Sequence, residues 1–330
     1  MLNNISHINS RQMQTLIICI CALIVCFTYL LGIEFGSSTP IVEFFSAEKK
    51  QFAMQLEGLV DNNSLVRDSP ELPLWLMYVL GVLIMLFGVP HGALDFDLAT
   101  RKIPLHTRTQ KCGFMFLYSL LASTCVVLWY YLPALMLCVF LAISIWHFAA
   151  DWELYLPTYL CLLTALWILT LPALLQPEVF INILSMLWIS SKEGHFLQWV
   201  FSLISVICTL VLLLNWRTLI NKGYSYVFEL IAYLLLLTFS HVLVFFTLYF
   251  CIIHSASYLM RYYRNITQQK IYLIMQISGI MLLTVILGAS IVFFSQSYGI
   301  ETHFYTWLFV GLFALTTPHM LLVEKYFKAN

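Results

Sequence analysis

The sequence predicts an all-α membrane protein, a polytopic bundle of about ten transmembrane helices, and three observations carry that prediction. Of 330 residues, 61% are hydrophobic and only 10% charged, whereas a soluble domain has about 45–50% apolar and about 25% charged residues. The apolar residues are gathered in runs close to the roughly 20 residues a helix needs to cross the hydrocarbon layer. Basic residues, finally, favour one end of those runs, as they do on the cytoplasmic side of a membrane protein.

Taken in order, the first fourteen residues are polar, and the apolar run from Thr15 to Ile33 follows them. That run exceeds the ~7–15 apolar residues of a signal-peptide core and no A-x-A cleavage site succeeds it, so it is expected to be a retained first span. Residues 34–72 form an acidic loop too short for a soluble domain. Further spans are predicted at 73–96, 113–131, 133–152, 155–175, 195–215, 225–240, 241–260, 271–294 and 304–323. Residues 225–260 are almost continuously apolar, too long for one span and suited to two that meet at Ser240-His241. The segment 176–194 is too polar to cross and is expected at the interface. With the N-terminus in the cytoplasm, twelve of the sixteen Lys and Arg fall inside, and only Lys49, Lys50, Arg67 and Lys192 fall outside. An inner-membrane protein with both termini cytoplasmic is the topology this bias predicts.

Net charge is zero, with no basic or acidic tract, so nucleic acid is excluded as a partner; the lipid bilayer is the expected one. Nine cysteines are scattered without a C-x-x-C pair and read as small buried hydrophobes rather than disulfides.

Ionisable residues at membrane depth are functional candidates by default. Of nine histidines, His7 and His106 lie in polar segments, and His195, His241 and His303 map to outer ends of spans. His91, His147, His254 and His319 are different. They lie near the inner ends of the second, fourth, eighth and tenth spans, all of which run from outside to inside. Four imidazoles at one depth suggest a shared metal site, because imidazole is the commonest neutral ligand and bundles build such sites from facing helices. Asp95 and Asp151 stand four residues after His91 and His147, on the same face of a continuous helix, where a carboxylate orients a ligating imidazole. Proline precedes both His91 and His319, at Pro90 and Pro318. Tyr258 stands four residues after His254 and could hydrogen-bond into the site or ligate through its phenol. A haem-binding or quinone-linked electron-transfer protein is the alternative that paired histidines also allow, and a strong Soret band distinguishes it.

The segments G-V-P-H-G-A-L-D around His91, W-H-F-A-A-D around His147, Y-F-C-I-I-H-S around His254 and T-P-H-M-L-L around His319 resemble the Brp/Blh family of membrane-bound β-carotene 15,15′-dioxygenases. The resemblance runs from about residue 73 to the C-terminus. It implies a catalytic bundle over 73–330, with 1–72 as an added first helix and acidic outer loop. It further implies a non-haem Fe(II) centre of four histidines that cleaves β-carotene with O2 into two retinals, which a rhodopsin-type protein could receive. His91, His147 and His254 match three of the ligands, and Tyr249 belongs to the third motif as a residue near the iron. The fourth family ligand, a histidine four residues after the third, is replaced by Tyr258. Three arrangements stay open: Tyr258 ligates directly, His319 serves as the fourth ligand, or three histidines hold the metal with water. A diverged homologue that binds carotenoid without cleaving it is the corresponding functional alternative.

Overall fold

The structure is a computed structural model that describes residues 2–30, 74–153, 155–265 and 300–326, with a scatter of residues between 271 and 286. Among the described residues the regular structure is entirely helical. The α-helices are α1 (Leu2–Leu30), α2 (Leu74–Ala93), α3 (Asp95–Lys102), α4 (Arg108–Tyr131), α5 (Pro133–Ala149), α6 (Thr158–Leu175), α7 (Pro177–Met186), α8 (Ser191–Leu214), α9 (Trp216–Lys222), α10 (Tyr224–Phe239), α11 (Val242–Leu248), α12 (Ala256–Asn265) and α13 (Ile300–Tyr326). A π-helical segment, Tyr249–Ser255, joins α11 to α12.

Among the described residues, four helical stretches are long and apolar enough to cross a membrane: Arg108–Tyr131, Thr158–Leu175, Ser191–Leu214 and Val242–Tyr263. Shorter apolar helices cover Gln12–Thr28, Val79–Gly88, Pro133–Ala149, Pro177–Met186, Tyr224–Phe239 and Phe309–Glu324. This is the architecture of an integral membrane protein. The expected span 271–294 lies largely outside the described residues, as does the loop 34–72.

Local chemistry sets the helix ends. Thr107 caps α4 in a reciprocal box with Gln110, satisfying two of the amide donors that a helix start leaves free. Pro133 opens α5, where its missing N–H costs nothing. Two boundaries differ from the sequence expectation. The first helix begins at Leu2 rather than Thr15, since no glycine or proline interrupts the polar stretch before the apolar run. The second stops at Ala93 and a new helix starts at Asp95. Asp95 and Asp97 lie in the first turn of α3 and Arg101 and Lys102 in its last, a charge order that matches the helix dipole at both ends.

The chain divides into two compact units. One comprises Met1–Leu80, Leu166–Asn182 and His195–Tyr249. Within it α1 packs along α10, and the Thr15 hydroxyl and the Tyr233 phenol both donate to the buried Glu229 carboxylate, at 3.3 and 2.5 Å. The break after α10 falls at Ser240, and His241 caps α11 by accepting from Leu243 N–H. The Gln176 amide donates to the carbonyls of Leu237 and Ser240, which the break would otherwise leave without partners in an apolar setting.

The other unit comprises Gly81–Ala165, Ile183–Gly194 and Phe250–Asn330. Here α13 packs along α4 and also meets α3 and α5; Phe313 of α13 lies against Trp129 and Phe140, with ring centroids 5.2 and 5.6 Å apart. The turn after α7 holds Trp188 at φ 65°. Hydrogen bonds from Trp129 Nε1 to the Leu187 carbonyl and from Thr306 to the Met186 carbonyl tie that turn to α4 and α13.

Candidate metal centre

Three of the four candidate histidines come together inside this second unit. His147 is in the last turn of α5, His254 near the end of the π-helical segment and His319 on α13, and all three are buried. Ring centroids of His147 and His254 are 4.6 Å apart, and those of His147 and His319 are 5.3 Å apart. His91 is on the last turn of α2; its side chain lies outside the described residues.

Two of the imidazoles are held by carboxylates. His319 Nδ1 is 2.6 Å from Asp95 Oδ1, and the Tyr118 phenol donates to the other oxygen of Asp95 at 2.7 Å. His254 Nδ1 is 3.3 and 3.2 Å from the two oxygens of Asp151, with Arg261 Nη2 at 4.0 Å from the same group. A carboxylate only accepts, so each imidazole donates from Nδ1, and Nε2 is the ring nitrogen not taken up by the carboxylate. This is the carboxylate–histidine arrangement that fixes tautomer and ring orientation at metal sites.

Asp95 and Asp151 are expected to orient the histidines four residues before them. The hydrogen bonds join Asp95 to His319 and Asp151 to His254, on other helices, while the His91 side chain lies outside the described residues. Neither helix continues through the four-residue spacing. The α2 helix ends at Ala93 and α5 at Ala149, and Asp151 lies in the turn beyond, its N–H donating to the Phe148 carbonyl.

Around the imidazoles the wall is aromatic. Phe250 stacks against His254 at 5.9 Å and Phe148 meets it edge-on at 4.6 Å. Tyr258 lies 5.5 Å from His319 and stacks on Tyr262 at 6.1 Å. Tyr262 donates to Asp97, which also receives Arg101 Nε, each at 2.6 Å; the hydrogen bond to that carboxylate raises the Arg101 guanidinium further above its ordinary value. Tyr249 belongs to the first unit, where its ring meets Tyr233 at 5.8 Å. His106 and His195 are exposed. Tyr118, Asp97 and Arg261 were not singled out from the sequence. A polar residue inside or beside an apolar run is the only signal that marks them.

Among the described residues, no group of three His, Cys, Asp or Glu side chains has its donors set to hold a metal ion. The pairwise ring separations and the donor chemistry nevertheless suit one. With metal–nitrogen bonds of about 2.1 Å, two imidazoles sharing an ion at ordinary angles have centroids roughly 4.5–5.2 Å apart, close to the 4.6 and 5.3 Å observed.

The family whose model is described as beta-carotene 15,15′-dioxygenase matches residues 82–327. This chain belongs to that dioxygenase family. It is also 32% identical over 267 residues to the beta-carotene 15,15′-dioxygenase of uncultured marine bacterium 66A03, an alignment that covers 75% of this chain and 93% of that relative. No solved structure matches the chain. The match to the dioxygenase family takes in His91, both carboxylates and all three clustered histidines, and begins well after α1.

Proposed function

We propose that the protein is a membrane-bound non-haem Fe(II) dioxygenase that cleaves the central 15,15′ double bond of β-carotene with O2 to give two retinals. The observation that carries this proposal is the buried cluster of His147, His254 and His319 within the family-matched region. The reaction breaks one C=C bond and forms two C=O bonds, one oxygen atom of O2 going to each product. His91, His147 and His254 are the proposed iron ligands, with Tyr258 or His319 as the fourth. Neutral nitrogen ligands with an open position suit Fe(II) oxygenase chemistry; iron held there would lift the spin barrier between O2 and a closed-shell polyene, with no net electrons supplied by the metal.

The chain's own residues do the rest. Asp151 and Asp95 keep protons on the Nδ1 atoms of His254 and His319, so that Nε2 stays a lone-pair donor. Phe148 and Phe250 cover His254 and exclude water from an apolar substrate's path. On this reading the expected ten spans, with both termini cytoplasmic, hold the work within the bilayer, where a carotenoid rod dissolves.

Expression in cells that accumulate β-carotene tests the proposal. Retinal is expected to appear as carotene falls, with iron copurifying. Intact carotene alongside folded protein at good yield rejects it, and a Soret band in the purified protein rejects the non-haem centre.

A further inference from the structure

We infer that His319, carried by the last helix, is the fourth imidazole ligand, and that Tyr258 is a wall residue and not a ligand; the inference rests on the Fe(II) proposal above. His319 is 2% exposed, its ring is 5.3 Å from that of His147, and its Nδ1 is bound to Asp95 at 2.6 Å. The Asp95 carboxylate is itself fixed from the far side by Tyr118. A histidine that served packing alone would not need a buried carboxylate and a phenol to set its tautomer. Charged groups are costly to bury unless they are paired and hydrogen-bonded, and here that pairing presents Nε2 as the donor atom.

Tyr258 lies beside His319, its ring 5.5 Å away, and it packs into an apolar cluster with Leu94, Leu98, Ala99, Tyr262, Leu322 and Val323. Chemistry agrees with the packing. Imidazole is the commonest side-chain metal ligand, and His319 presents one beside His147.

The test uses the full-length protein purified in detergent without iron. Anaerobic Fe(II) titration against a competing chelator measures affinity, the d–d absorption of Co(II) reports nitrogen coordination, and helical circular dichroism checks folding. His319→Ala is expected to lower Fe(II) affinity at least as much as the ~10–100-fold typical of losing an orienting partner and to change the Co(II) spectrum. Asp95→Asn keeps the imidazole but loses its orienting charge, so it is expected to lower affinity within that ~10–100-fold range; it carries the test if the alanine variant does not fold. Tyr258→Phe is expected to retain the wild-type Fe(II) affinity and Co(II) spectrum. Wild-type affinity and spectrum in His319→Ala, wild-type affinity in a folded Asp95→Asn, or metal loss in Tyr258→Phe, overturns the inference alone. A wild-type protein that takes up neither ion overturns the Fe(II) proposal as well.

Discussion

Gly88 shows how closely single residues are constrained around the histidines. A Cβ at this position would lie 2.8 Å from Phe250 Cε1, and Phe250 stacks directly on His254. Gly88→Ala is therefore expected to press Phe250 toward His254 and to cost about 1–3 kcal/mol, the usual range for overpacking; thermal unfolding in detergent measures it. Asp151→Asn removes the charge that faces His254 Nδ1. It is expected to weaken Fe(II) binding about 10–100-fold, as read by chelator competition. At this scale the sequence was informative about residue type and depth. The motifs around His91, His147, His254 and His319 mark the buried polar positions, and three of those side chains do come together. What could not be read was partnership. Asp95 lies 224 residues from His319 in the chain and Asp151 lies 103 from His254, and no local periodicity encodes a contact across that distance.

Elements add a constraint that residue types do not reveal. The π-helical segment Tyr249–Ser255 inserts a wider turn just where His254 must project, and such turns are often found at functional sites. Deleting Ile252 removes the extra residue of the wide turn and re-aims the side chains within it, His254 among them. Fe(II) retention is expected to disappear while helical circular dichroism stays near the wild-type value. A second element-level feature is the α1–α10 contact, where Thr15 reaches Glu229. Thr15→Val is expected to lower thermal stability by about 0.5–2 kcal/mol, the range for hydrogen bonds between membrane helices. The apolar helices, four of them long enough to cross a membrane among the described residues, were legible from run length, and the division at Ser240-His241 falls where the long run required it. The start of α3 at Asp95 and the π turn were not legible. Both depend on how the chain must bend to bring side chains together, which hydropathy does not report.

On the scale of the whole molecule, the histidine cluster is built within a single compact unit and entirely within the part of the chain that the dioxygenase family matches. The charge bias of the loops predicts that Lys102 and Lys325 face the cytoplasm and Lys192 faces outward. Single cysteines at these positions are expected to react with a membrane-impermeant maleimide from intact cells only at 192. All-helical architecture follows from composition, because a chain so poor in charge must satisfy its backbone within helices once it leaves water. The central claim, that this helical unit splits a carotenoid at its midpoint, is tested most directly by product stoichiometry. Purified protein loaded with Fe(II) is given β-carotene in micelles with O2, and carotene consumed and aldehydes formed are counted by chromatography. The account predicts two retinals for each carotene lost and no longer or shorter aldehyde. Folded, iron-loaded protein that leaves carotene intact, or that yields fragments of unequal length, contradicts it.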